Sequence, residues 1–486
     1  MKKGSITIFS VLSMLLVAAL LCTLLEGARY HELKRLSKLQ THLALESVFA
    51  GYNRYLWEEY HLLAVNRENV EEALYLAGGG RVAEKSLGLN VLGFQVSDVE
   101  EKGYTLLTDG KGAAYIHTVS TYMKENFVYE AAASVYEQYE QIQELVGNCE
   151  WDISKITEAL EGLEEAKTNL SSKDAVLEDK KLSSLKEDSG MKRIESLLKG
   201  VKDALDKGIL TLVIQDTASL SNKEIDLTES VSKRLLQEGK NSRIEETDWL
   251  DRVLLQQYFL NYMSSYCNEK DGRALTYELE YLLGGKPSDK ENMQVVVSQL
   301  LALRGAINLT YLLSDTAKVQ EVSLLAAAVA GASLNPVFVE LVKMALLTAW
   351  ALAEAVLDVR AILDGKQIAL LKNRDLWTLD LEDIGFMANG YAMAKASTAG
   401  ADYKEYLGML LFFQEETELA MRAMNVQEAA VRKEKELQEF EMDSLMVWTD
   451  VEIRYKVSPL FPSFGTNFWR EEWAYELYTR EEFGYW

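Results

Sequence analysis

Proline is nearly missing from this chain, with 4 in 486 residues beside 29 glycines. Little in the sequence therefore forbids long helices. Cysteine is equally scarce: Cys22, Cys149 and Cys267 share no Cys-x-x-Cys spacing, which excludes a disulfide framework and a cysteine zinc site. Cys22 falls in an apolar segment. Cys149 and Cys267 are left as a candidate disulfide on an oxidising side of a membrane, or as two buried thiols. The four histidines, His31, His42, His61 and His117, occur in no HxxxH or HExxH pattern. His31 and His42 stand about three helical turns apart, too far to share a metal within one helix. No GxSxG elbow, GxxxxGK phosphate loop or calcium-loop spacing is present. No catalytic residue, cofactor or metal is expected, and no enzymatic activity. Basic charge is also short. Against 75 acidic residues stand 51 Lys and Arg, a formal charge of -24. Such a surface repels phosphate backbones, so nucleic acid is not an expected partner. It also argues against broad contact with anionic lipid outside any anchor.

What the chain does have is one long apolar run. Lys2 and Lys3 precede ITIFSVLSMLLVAALLCTLL, Ile6 to Leu25, which carries no charge until Glu26. About 20 apolar residues suffice to cross the hydrocarbon core as a helix. The run is too long, and its exit at Leu24-Leu25-Glu26 too bulky, for a cleaved signal peptide. The expectation is a single-pass membrane protein with residues 1–27 as anchor. Lys2 and Lys3 favour a cytoplasmic N-terminus and an extracytoplasmic body, although Arg29, Lys34, Arg35 and Lys38 weigh on the other side of the span. A second apolar stretch, Leu324 to Leu357, is broken by Asn335-Pro336 and punctuated by Glu340, Lys343 and Glu354. It reads as a buried core helix.

After the anchor, a helical pattern runs to about Ala77, and Gly78-Gly79-Gly80 reads as its stop. Residues 28–110 then hold two short strands, Val91 to Val96 and Tyr104 to Leu107. Residues 111–248 read as a helical insertion. Val128, Ala132, Val135, Tyr139, Ile142 and Val146 alternate spacings of four and three, as do Ile156, Leu160, Leu163, Lys167 and Leu170, the pattern of a coiled-coil hairpin turning near Gly147-Asn148. Residues 249–486 read as an α+β body. It holds a helix from Trp249 to Tyr266, and a strand in ALTYELEYLL with Glu278 and Glu280 on the wet face. These two carboxylates need no catalytic role there. Ser288-Asp289-Lys290-Glu291 is a capping box opening a helix to about Leu313. Gly365 closes a helix from Val337. Two short strands are expected within Gln367 to Leu379, a helix from Asp402 to about Glu441, and a strand over Val447 to Val457. The aromatic tail has no assignment. The fold class is α+β, predominantly helical: an N-terminal transmembrane helix, a sheet assembled from distant strands, and a coiled-coil insertion.

Several blocks resemble a known family. KKGSITIFSVLSMLLVAALLCTLLEGAR at the N-terminus, with YELEYLLGGKPSDKENM, LRGAINLTYLLSD, LTAWALAEAVLDVRAILDGK and YKEYLGMLLFF, resemble a Firmicute family known as a domain of unknown function, DUF5702. Its members are similar in outline to TadE- and TadG-like minor pilins of tight-adherence (Flp-type) pilus systems. The resemblance implies a membrane-anchored, pseudopilin-like cell-envelope component of pilus assembly or type II-like secretion, with other envelope or pilus-assembly proteins as partners. Gly4-Ser5 before the apolar helix resembles a prepilin processing site. Pilins of that kind place Glu at the fifth position after the cut, where this chain has Phe9. That departure implies an accessory subunit and not the major one. Two other readings stay open: an anchored cell-surface binding protein or adhesin, and an extracytoplasmic hydrolase with a site assembled from distant carboxylates.

Overall fold

The computed structural model of the chain describes residues 2–68, 70–75, 94–126, 129–149, 151–173, 181–244, 246–327, 336–386, 390–434, 437–459 and 474–485. Gly78 to Gly80, Val91 and Val128 lie outside them. The protein is predominantly helical, with a small antiparallel sheet. It divides into two compact units, each built from separated stretches of sequence. The first comprises Met1–Asn126, Val231–Thr247 and Val431–Trp486; the second comprises Phe127–Ser230 and Asp248–Ala430. Residues 111–248, expected as one insertion, are thus shared between the two units.

In the first unit, α1 (Lys2–Phe49) is one continuous helix of 48 residues. It does not continue to Ala77. The chain breaks at Ala50-Gly51, and Asn53 opens the short α2 (Arg54–Tyr60) by accepting the Leu56 amide at 3.0 Å. Next come β1 (Val65–Asn66) and α3 (Val70–Tyr75). Beyond Glu26, α1 buries Leu33, Ser37, Thr41, Ala44 and Val48, steps of three and four that place them along one face, with Leu45 beside them.

That face lies on a four-stranded antiparallel sheet of β1, β2 (Phe94–Leu106), β3 (Leu445–Val457) and β4 (Tyr475–Gly484). β3 is central. β2 runs along one edge, while β1 and β4 share the other, β1 opposite Leu445 and Met446 and β4 opposite Trp448 to Val457. Being paired on both sides, β3 is buried almost end to end. The sheet is assembled from distant segments, as the alternation of Val451, Ile453, Tyr455 and Val457 foreshadows. The two short strands expected before residue 107 are in fact one. β2 absorbs the charged turn as register irregularities at Val96/Asp98 and Glu101/Gly103, bulges that keep pairing while adding residues. The unassigned tail supplies β4, with Leu477 and Thr479 turned inward.

After β2, Gly110, Lys111 and Gly112 are all left-handed at the start of α4 (Asp109–Asn126), a turn for which glycine is the cheap residue. The Asp109 carboxylate organises the surroundings. It accepts the Leu106 amide at 2.9 Å, the Gly239 amide at 2.9 Å and the Ser242 hydroxyl at 2.5 Å. A side chain at Gly239 would collide with it, a Cβ there falling 2.1 Å from Oδ2. Asp443 plays the same part for the other end of this segment, taking Arg234 at 2.5 Å and the Gln237 amide at 2.9 Å.

The second unit is helical. Its elements are α5 (Tyr129–Gly147), α6 (Ser154–Lys173), α7 (Lys181–Asp206), α8 (Ile209–Val213), α9 (Trp249–Tyr262), α10 (Glu278–Gly284), α11 (Asp289–Ser314), α12 (Thr316–Ala326), α13 (Pro336–Leu363), a 3-10 turn (Leu381–Phe386), α14 (Tyr403–Phe412) and α15 (Glu416–Val431). α11 and α13 pack along each other at its centre. Every residue of α13 from Ala345 to Leu363 is buried, and Gly365 ends it with φ 79, both as expected. α5 lies along α9 and α11, and α6 along α13 and α7. Ala132 and Tyr139 of α5 and Ile156 and Leu163 of α6 are buried in the unit: Tyr139 meets the Phe412 ring edge-on, and Gly162 beside Leu163 leaves room for Phe338.

Two expected strand regions are corrected. ALTYELEYLL contains no strand, and the polar side expected to be wet is buried with the other. The Thr276 and Tyr277 amides bond to the Asp289 carboxylate at 3.0 and 3.1 Å, and from Glu278 the chain coils into α10. Gln367 to Leu379 holds a single bridge, Ile368 to Ala401, and otherwise loops around buried charges. The helix expected over Asp402 to Glu441 breaks into α14 and α15.

Candidate functional site

Charges in the second unit gather where a hydrophobic core would ordinarily exclude them. Glu354 and Asp358, four apart on α13, project from one face toward Arg304 and Asn308, four apart on α11. None of the four is exposed. The loop after α13 adds Lys372, whose ammonium ion-pairs with Glu354 and lies 2.6 Å from Asp358 Oδ1. Arg304 spends all three nitrogens. Nε and Nη2 donate to Asp358 Oδ2 at 3.0 and 2.9 Å, and Nη1 donates to the Ala369 and Leu370 carbonyls and to Tyr406 Oη at 3.0 Å. Asn308 donates to the same Asp358 oxygen at 2.9 Å. The Glu354 carboxylate accepts the Thr378 and Leu379 amides at 3.0 and 2.9 Å.

Two carboxylates and two cations make the set formally neutral, the condition under which buried charge is tolerated. Burial pushes the Asp358 carboxyl up, but Arg304 and Lys372 outweigh it and hold it below the ordinary carboxylate value. At Glu354 burial wins over Lys372, and the carboxyl is raised. Tyr406 is pushed up to about 12 by burial. The arrangement binds α11, α13 and the 366–379 loop together through groups that already satisfy one another.

A second buried acid lies nearby in sequence. Glu280 is raised to about 7 by burial, against hydrogen bonds from Tyr403 Oη at 2.6 Å and the Tyr266 amide at 2.9 Å. Both bonds fall on Oε1; Oε2 has no hydrogen-bond partner among the described residues. Glu278 accepts the Ser264 amide at 2.9 Å. The two acids expected on a wet strand face are therefore interior. Cys267 is exposed as a residue, but partial desolvation of its sulfur and then Glu280 push the thiol up to about 12, the reverse of an activated nucleophile. Cys149 and Cys267 do not form a disulfide: their sulfurs lie against different carbonyls, Ala306 at 3.4 Å and Leu363 at 3.9 Å. Among the described residues no group of three His, Cys, Asp or Glu is placed to hold a metal.

The family model for DUF5702, a family of unknown function, matches residues 187–457, more than half of the chain. The chain belongs to this family. The DUF5702 match takes in Glu280, Arg304, Glu354, Asp358, Lys372 and Tyr406, and also β3. No curated protein and no solved structure matches the chain.

Outside the DUF5702 match lies the surface that could meet a membrane. Three helices are long and apolar enough to cross one, by length and composition: the stretch Ile6–Phe49 of α1, then α11 and α13. The most apolar windows of α11 and α13 are 67% and 56% buried inside the protein, and that of α1 is 0% buried. α1 is the candidate anchor. Gly4 and Ser5 fall in its first turn. Beyond the apolar run, α1 and β4 enclose an open groove of about 900 Å³, lined by His31, Lys34, Arg35, Lys38, Leu39 and His42 on the helix and Tyr478 to Glu481 on the strand. Lys34 and Arg35 were visible in the sequence as charges after the span. Arg480 was not, because only pairing of the tail with β3 brings it alongside them.

Proposed function

We propose that this DUF5702 chain is a membrane-anchored, extracytoplasmic structural or assembly component, minor-pilin-like, of a tight-adherence (Flp-type) pilus or type II-like secretion system. One observation carries the reading. α1 has an exposed apolar half of membrane-spanning length, and without a break its other half is fixed to the sheet of the first unit. Ser37 receives a hydrogen bond from Thr479 on β4, Thr41 and Tyr455 on β3 share one, and Tyr485 reaches the Phe49 carbonyl. A helix so attached transmits the position of the bilayer to the folded unit, as a subunit of an envelope assembly requires. The resemblance of the N-terminal block to anchors of this family, whose members are similar in outline to TadE- and TadG-like minor pilins, supports the same reading.

Leu235 is 99% exposed and gives the orientation test. A Leu235→Cys chain should react with a membrane-impermeant maleimide on intact cells. Protection until lysis would place the body in the cytoplasm and overturn the proposal. In-cell crosslinking of the C-terminally tagged chain in native membranes, with mass spectrometry, then addresses assembly. Recovery of tight-adherence pilins or their membrane platform supports it. Recovery of this chain alone overturns it and favours an anchored surface-binding protein.

A further inference from the structure

The groove between α1 and β4 inverts the charge of the molecule. Its lining carries Lys34, Arg35, Lys38 and Arg480 against one carboxylate, Glu481, so four positive charges meet one negative and leave a formal +3, on a chain whose total is -24. Glu481 is engaged by Lys38 at 3.4 Å, and Arg480 is held by Asp450 on β3 at 2.5 to 3.1 Å. Lys34 and Arg35 are exposed, and among the described residues neither has an ion-pair partner. Arg29, closer to the span, is already occupied by Glu26 and the Ser458 carbonyl.

Position decides what this charge can meet. Lys34 lies nine residues past Leu25, about 14 Å along the helix. Side chains on a helix lean toward its N-terminus, so those of Lys34 and Arg35 lean back toward the apolar run. Long basic side chains extend their charge from an apolar stem in the same way. The headgroup layer adds roughly 5–8 Å beyond the hydrocarbon on each side, and its potential extends about 8 Å further at physiological salt. The ammonium and guanidinium therefore fall within reach of the headgroup layer's potential when α1 spans the bilayer.

We propose that the α1–β4 groove holds the phosphate headgroup of an anionic phospholipid, with Lys34 and Arg35 as the main contacts and Arg480 as a fixed wall. The inference rests on the reading of α1 as an anchor. The full chain in neutral detergent is offered equal amounts of phosphatidylglycerol and phosphatidylcholine, and retained lipid is counted by native mass spectrometry. Carbonate extraction of the same chain from vesicles tests the anchor separately. The inserted chain should retain phosphatidylglycerol in preference. Lys34→Gln/Arg35→Gln should reduce that preference about tenfold, with unchanged thermal unfolding, while Lys207→Gln on the second unit leaves it intact.

A chain stripped by carbonate overturns the anchor and the lipid assignment together. An inserted chain without preference, or one whose preference survives Lys34→Glu/Arg35→Glu, overturns the groove assignment alone. Equal displacement of the lipid by millimolar inorganic phosphate overturns the lipid as the occupant in favour of a soluble anion.

Discussion

Arg304 and Asp358 meet directly in the core: Nε and Nη2 of the guanidinium share one carboxylate oxygen at 3.0 and 2.9 Å, and neither residue is exposed. Removing one member of such a pair strands the other in the core. Arg304→Met and Asp358→Leu should each cost about 3–5 kcal/mol of stability, and the double substitution should cost much less than their sum. Denaturant unfolding of the full chain in neutral detergent measures all three. Additive losses would mean that the pair is not the unit that matters.

Glu280 gives a pH dependence of fixed sign. Its carboxyl is raised to about 7 when folded, against about 4.3 in an unfolded chain. The folded state therefore binds this proton more tightly. The stability it contributes is full below about pH 4 and is lost as pH rises toward 7. Glu280→Gln, which cannot ionise, should gain on the natural chain between pH 5 and pH 8, by a few kcal/mol at most, at about 1.4 per pH unit. A difference in Tm that is constant across this range would show that Glu280 is not protonated on folding.

These two clusters mark where the sequence is legible and where it is not. α11 and α13 were readable because Ser288 and Gly365 bracket their apolar periods, and β3 because its alternation runs unbroken from Val447 to Val457. The charge of Glu354 inside an apolar helix was visible as well, though Asp358 one helical turn on was not singled out. Their partners were not visible, since Lys372 and Arg304 reach them only through tertiary packing. Alternation in ALTYELEYLL misled because it presumes one wet face, whereas Glu278 and Glu280 are sealed inside by the Ser264 and Tyr266 amides. The heptad spacing in α5 and α6 could not distinguish a projecting hairpin from two helices packed on a body, because both bury the same stripe.

Trp151 tests that last distinction. It follows the turn between α5 and α6 and covers Gly305 on α11 so closely that a Cβ there would lie 2.3 Å from its ring. A free hairpin would not notice a methyl at this position. Gly305→Ala should displace the indole, shift the tryptophan emission and destabilise the second unit by about 1–3 kcal/mol, the usual cost of overpacking. Gly147→Ala, where the added Cβ meets nothing within 4 Å, is the control. An unchanged emission spectrum in Gly305→Ala would detach Trp151 from α11.

Thr479 bears on how firmly α1 is held to the sheet. An apolar stripe on a sheet resists separation but tolerates sliding, whereas a hydrogen bond fixes position along the helix. Thr479 on β4 donates to the Ser37 hydroxyl at 3.0 Å, and Ser37 donates in turn to the Lys34 carbonyl at 2.9 Å. Thr479→Val keeps the shape and strand preference and deletes the donor, while Ser37 keeps its own bond to the helix. The loss should be about 0.5–1.5 kcal/mol. It should appear as faster amide exchange across residues 475–484, with the helices of the second unit unaffected. Exchange that rises equally in both units would mean that Thr479 acts on global stability. Exchange unchanged at β4 would mean that apolar contact between Leu33, Leu477 and Ile453 fixes α1 by itself.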